Sequence, residues 1–274
     1  TFTTGYGFTL AADLYRPAGQ AGPFPALAVA GPFGAVKEQA SGVYAQAMAE
    51  RGFLTIAFDP SFTGESSGLP RYTASPDINT EDVMAAVDHL GTREDVDPER
   101  IGVIGICGWG GIALNAAAAD PRIQATLAST MYDMTRVAGN GYFDAADDAT
   151  ARHKARTALA AQRSEVARSG EAPRAGGVVD PLPDDAPQFV KDYHAYYKTE
   201  RGFHPRSLNS TEGWSTIGTQ AYANVRFLHY IGEIENPVMV MHGEKAHSRY
   251  LGESAYQQLA DGVAPDNKHL VIVP

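Results

Sequence analysis

Short apolar runs, each stopped by glycine, proline or aspartate, alternate along this chain with stretches whose apolar positions recur at helical spacing. Residues 10–15 alternate as an early strand that ends at Arg16 and Pro17. Residues 26–30 form a buried strand, followed by Gly31, Pro32, Phe33 and Gly34 and a helix over 41–51. A third strand over 53–58 closes on Asp59 and Pro60. Asn79, Thr80, Glu81 and Asp82 carry helix-start chemistry ahead of the periodic Val83, Ala86, Val87 and Leu90. Residues 100–106 make another buried strand, which runs through Cys107 into a helix over 112–119, and 124–129 makes the next. This rhythm predicts an α/β fold with a mostly parallel sheet covered by helices on both faces.

From 131 to 231 the alternation stops. The segment is helical in pattern, rich in alanine, charge and aromatics, and broken by Gly139, Gly141, Gly176, Gly177 and the run 180–187. The rhythm resumes with a strand over 237–241, a helix over 254–260 and a strand over 270–273. The simplest organisation is a core of residues 1–130 and 232–274 with a helical cap, 131–231, inserted between two strands. Tyr193, Tyr196, Tyr197, Phe203, Trp214, Tyr222 and Phe227 are then candidates for pocket walls or for cap packing.

Composition narrows the classes. A chain of 274 residues holds a large core without disulfides or metal. One cysteine excludes an intrachain disulfide and favours a reducing, cytoplasmic compartment. A net charge of -10 leaves no basic stripe for nucleic acid or an anionic membrane. No apolar run reaches the roughly 18 to 20 residues of a membrane helix, and residues 1–6 do not read as a secretory signal. The sequon at Asn209, Ser210 and Thr211 is a chance match in a cytoplasmic protein. Exposed cap aromatics are compatible with a homodimer, and the oligomeric state stays open.

The chemistry gathers at Cys107. It follows a buried strand directly and precedes Gly108, Trp109, Gly110 and Gly111 at the start of a helix. A nucleophile on such a turn stands above the sheet, with the next amide and the helix N-terminus facing any anion formed there. That helix end is expected to lower the thiol pKa and to activate it in part. Gly108 supplies one oxyanion donor. The turn at 31–34 supplies a second, from Phe33 or Gly34, because Pro32 has no amide hydrogen. The loop 59–68 lines the mouth of the pocket or is solvated, and Lys37 and Glu38 read as surface charges.

With these residues the chain resembles the α/β-hydrolase superfamily, in the branch of dienelactone-hydrolase-like and peptidase S15-like bacterial hydrolases with a cysteine in the nucleophile turn. The resemblance spans the early strand ending Leu14, Tyr15, Arg16, Pro17; the 31–34 turn; the 59–68 loop; the Cys107 turn; and His242, Gly243 after a late strand. It implies a hydrolase that opens an ester, lactone or thioester of a small-molecule acyl substrate through an acyl-cysteine, with no metal or organic cofactor. An acyltransferase or cyclase using the same thioester, and a non-catalytic binding homologue, remain open. Two positions depart from the family pattern. Trp109 stands where the turn usually has glycine, and Ala246 where the acid commonly lies. Glu244 is the substitute acid and Asp133 the alternative. Trp109, His242 and His247 are expected to face substrate. The family's histidine follows the last strand, so it is expected after Pro274.

Overall fold

The computed structural model describes residues 1–274. A small hairpin of β1 (Phe2–Thr3) and β2 (Thr9–Leu10) leads into β3 (Ala12–Tyr15), β4 (Phe24–Ala30), β5 (Leu54–Phe58), β6 (Val96–Ile106) and β7 (Ala125–Ser129). A long excursion carries an antiparallel pair, β8 (Arg174–Gly176) and β9 (Gly213–Ser215), before β10 (Val238–Gly243) and β11 (Lys268–Val273) return. The helices are α1 (Ala40–Ala49), α2 (Pro76–Gly91), α3 (Gly108–Ala119), α4 (Met134–Asn140), α5 (Ala149–Ser169), α6 (Gln188–Tyr197), a single turn α7 (Thr219–Tyr222) and α8 (Arg249–Ala260).

Seven strands make the central sheet in the order β11-β10-β7-β6-β4-β5-β3. Only β3 runs antiparallel, against β5. Both faces are covered, which is why the strands read as unbroken apolar runs. Ala26, Ala28 and Ala30 of β4 pack on one side with Val83, Val87 and Leu90 of α2 and with Ile112 and Leu114 of α3. Leu27 and Val29 face the other side, with Ala45 of α1. Each fully buried branched side chain contributes about 1.5–3 kcal/mol. This is the α/β-hydrolase fold.

Some elements differ from the sequence expectation for identifiable reasons. The early strand splits, so 9–10 pairs in the hairpin and 12–15 in the sheet. Helix α2 begins at Pro76 rather than near Asn79, since proline at the first helical position loses no hydrogen bond. Asn79 and Asp82 lie inside that helix as a buried polar cluster. Asp82 accepts from Ser61 N–H (2.9 Å), Ser61 Oγ (2.5 Å) and Asn79 Nδ2 (3.1 Å).

Residues 131–231 are not simply helical, because β8 and β9 pair there, and α5 buries none of its residues. Tyr222, Phe227, Leu228 and Ile231, near the end of this segment, pack into the main core. No helix is long and apolar enough to cross a membrane.

Candidate active site

Strand β6 ends at Ile106 and α3 begins at Gly108, leaving Cys107 alone in the turn at φ 57° and ψ -123°. Positive φ costs a residue with a β-carbon about 1–3 kcal/mol, so the surroundings must hold it. Cys107 N–H donates to Ser129 O at the end of β7 (2.9 Å), and Cys107 O accepts from Gly110 N–H (2.9 Å) and Tyr132 N–H (2.8 Å). Gly105 lets α3 fold back on β6, since a β-carbon there would lie 2.2 Å from the Trp109 carbonyl oxygen. The Trp109 indole turns into the core, edge-on to Phe58 with ring centroids 5.8 Å apart, and lines no part of the cavity. Its expected contact with substrate is therefore corrected to a packing role.

The 31–34 turn lies directly over this elbow, where a β-carbon on Gly108 would meet Phe33 Cβ at 2.7 Å. The backbone amides of Gly108 and Phe33 face the Cys107 sulfur. Gly34 instead turns its carbonyl toward residues 207–209, which donate to it. Burial pushes the Cys107 thiol up to about 11, and the two amides offset this only in part. The expectation that the helix end lowers the thiol pKa is thus reversed. Desolvation outweighs the two amides, so a base would assist attack at neutral pH.

Lys37 and much of the 59–68 loop are buried too, with Glu65 and Ser67 exposed. Lys37 is 4% exposed, and its Nζ donates to Glu38 (2.6 Å) and Glu65 (2.7 Å). The fully buried Asp59 accepts from Lys37 N–H (2.8 Å) and Glu65 N–H (2.8 Å). This network ties the chain beyond the 31–34 turn to the loop after β5.

Cys107 opens on a cavity of about 770 Å³ lined by Phe33, Tyr142, Tyr193, Tyr197, Trp214 and neighbours. Among the expected aromatics, Tyr193, Tyr197 and Trp214 reach it. Tyr222 and Phe227 belong to the core, and Phe203 is exposed. His247 also lines it, stacked on Phe189 with centroids 3.9 Å apart. Its Nε2 hydrogen-bonds the Tyr132 hydroxyl, which in turn meets Tyr193 Oη at 2.9 Å. Burial lowers the His247 pKa, which favours the neutral ring. Sequence reasoning missed Tyr132, Tyr142 and Phe189. Tyr132 carried a usable signal, because it follows the strand next to the nucleophile strand.

The remaining candidates lie apart from the sulfur. His242 is fully buried with neither ring nitrogen hydrogen-bonded, and a β-carbon on Gly252 would lie 2.2 Å from its Nε2. It does not line the cavity, so its expected contact with substrate is corrected to packing beneath α8. Asp133 caps α4, its Oδ1 accepting from Thr135 N–H (2.9 Å), Thr135 Oγ1 (2.5 Å) and Arg136 N–H (3.0 Å). It borders a different, polar cavity. Glu244 is exposed at the end of β10, and its N–H donates to Val273 O of β11 (2.7 Å).

The sequence profile of the X-Pro dipeptidyl-peptidase (S15) family matches residues 6–273. The chain belongs to that family. Protein PA2218 of Pseudomonas aeruginosa is 52% identical over 278 residues, which is 100% of this chain and 72% of that one. The crystal structure of PA2218 superposes with a TM-score of 0.94, over 100% of this chain and 84% of that chain. The α/β-hydrolase GrgF from Penicillium sp. sh18 shares the fold with a TM-score of 0.76 at 21% identity, over 99% and 87% of the two chains. A thiohydrolase, AneE of Aspergillus aculeatus, is 38% identical over 100 residues, 36% of this chain and 31% of that one. A hydrolase of the S15 family is what the profile match establishes.

Proposed function

We propose that this S15-family hydrolase cleaves a small acyl ester, lactone or thioester through an acyl-cysteine on Cys107. The observation that carries the reading is the elbow itself. A side chain held at φ 57° between β6 and α3 faces a large cavity, with the amides of Phe33 and Gly108 turned toward its sulfur. Peptidases of the family use serine, and this chain has cysteine in the elbow. A sulfur nucleophile suits thioester exchange, and the thiohydrolase relative gives that substrate class weight.

In this reading the Cys107 S–H loses its proton to a base while sulfur bonds the carbonyl carbon and the carbonyl electron pair moves onto oxygen. The two amides hold that oxyanion, each donor being worth roughly 3–4 kcal/mol in comparable sites. Collapse expels the alcohol or thiol, which takes the proton. Water then attacks the acyl-cysteine by the same route, releasing the acid and restoring the thiol. In the α/β-hydrolases that this chain resembles, the base is a histidine in the loop that follows the last strand. Glu244 is its partner, supported by the bond from its amide to Val273 O, which puts it beside the end of that strand. Asp133 is disfavoured because its carboxylate is committed to capping α4.

Intact-mass spectrometry across a panel of esters, lactones and thioesters tests the proposal. An acyl adduct that is absent from Cys107→Ala is expected. Unaltered hydrolysis by that variant overturns it.

A further inference from the structure

The 31–34 turn is not held in place by its own strand and helix alone. Pro32 O accepts from Ala35 N–H (2.8 Å) within the turn, but the next two carbonyls are claimed from far along the chain. Asn209 Nδ2 donates to Phe33 O at 3.0 Å. Gly34 O accepts from Leu208 N–H (2.8 Å) and Ser207 Oγ (3.0 Å). Ser207, Leu208, Asn209 and Ser210 are all buried, at 8% exposure or less.

This clamp is itself anchored. Lys198 Nζ donates to Ser210 O (2.9 Å), and Thr211 N–H donates back to Ser207 O (3.1 Å). The Phe33 ring is gripped as well, stacked on Trp214 with centroids 5.4 Å apart and met edge-on by Tyr222 at 5.5 Å. Gly34 is compressed on the same side, since a β-carbon there would lie 2.4 Å from Trp214. The burial of Asn209 and its bond to Phe33 O also leave the sequon at 209–211 unusable for glycosylation in the folded chain.

Phe33 is the residue whose amide faces the sulfur, and its own carbonyl is the one Asn209 holds. We propose that Asn209 is a positioning residue for the proposed reaction, fixing the Phe33 peptide so that its N–H points at the oxyanion. The region between β7 and β10 therefore completes the oxyanion site in addition to walling the cavity. Rotation of the 33–34 peptide is coupled through φ and ψ of Phe33 to the 32–33 peptide that carries the donor. Loss of the Asn209 bond thus loosens that donor without touching the thiol.

This inference rests on the acyl-cysteine reading, and two reagents separate them. Acylation of Cys107 by p-nitrophenyl acetate passes through a tetrahedral oxyanion. Alkylation by iodoacetamide displaces iodide at a saturated carbon and forms none. Asn209→Ala and the similarly sized, uncharged Asn209→Leu are expected to slow acylation about 10- to 100-fold, short of the roughly 10²–10³ seen when a donor is removed outright. Alkylation should stay within about twofold, since the thiol and its burial are untouched. Circular dichroism checks the fold, and the leucine variant serves if alanine does not fold. Acylation within about twofold of the parent overturns the positioning role, as does a parallel fall in both rates. No acyl adduct on the parent protein instead removes the acyl-cysteine reading, and this inference with it.

Discussion

Raising the pH should expose the state of the Cys107 sulfur. Burial places the thiol at about 11 against an ordinary 9.0. At pH 7 the thiolate fraction is then about 1 in 10⁴, where an ordinary thiol would have about 1 in 10². The more basic thiolate is the stronger nucleophile, by roughly tenfold over two pKa units. Those effects partly cancel. Iodoacetamide should therefore alkylate Cys107 about tenfold more slowly at pH 7 than it alkylates a cysteine peptide with an ordinary pKa. The rate should climb about tenfold per pH unit to roughly pH 10. Because the chain has a single cysteine, intact mass after timed quenching reads the rate without ambiguity. A plateau below about pH 9 refutes the reasoning that desolvation alone sets the state of the thiol, and is what an imidazolium held at the sulfur would give.

The other expectations concern residues whose structural and chemical roles separate cleanly. Asp133→Ala should cost about 1–2 kcal/mol through loss of the α4 cap, read by denaturant melts, while acylation per folded molecule changes little; a hundredfold fall in acylation would make Asp133 the acid. Trp109→Leu should cost about 2–4 kcal/mol in stability and leave KM unchanged, because the indole packs on Phe58 rather than in the cavity; a raised KM with unaltered stability would contradict that.

His242 has its pKa lowered to about 4 from 6.5 by burial. It is neutral in both states above 6.5, and between 6.5 and 4 only the unfolded chain takes the proton, so stability falls as pH falls through that window. The loss is about 3 kcal/mol in all, and His242→Leu should lose less than the parent over the same range. Equal acid sensitivity of the two would show that His242 is not buried neutral.

Much of the sheet was legible because two-sided burial writes itself as unbroken apolar runs, as at 26–30 and 100–106. The Cys107 elbow was legible for a related reason: glycines crowd where a helix must fold back close to its strand. Helix starts were less so. Asp82 carries the side chain of a cap, yet it lies inside the helix as the buried acceptor of Ser61 and Asn79, and nothing local distinguishes the two uses. The β8–β9 pair was hidden because its two short strands are far apart in sequence and show no alternation of their own.

For the site, the sequence by itself determined that a lone thiol stands at the end of a buried strand, with a Pro-Phe-Gly turn after the neighbouring one. Both are local facts of order and residue type. Tertiary structure alone decided which amide of that turn faces the sulfur, that Trp109 and His242 point into packing, and that Tyr132, Tyr193 and His247 share one hydrogen-bonded wall. It also decided the state of the thiol. A helix N-terminus is visible in sequence, but the loss of water around Cys107 depends on groups from several distant segments, and that desolvation is the larger effect.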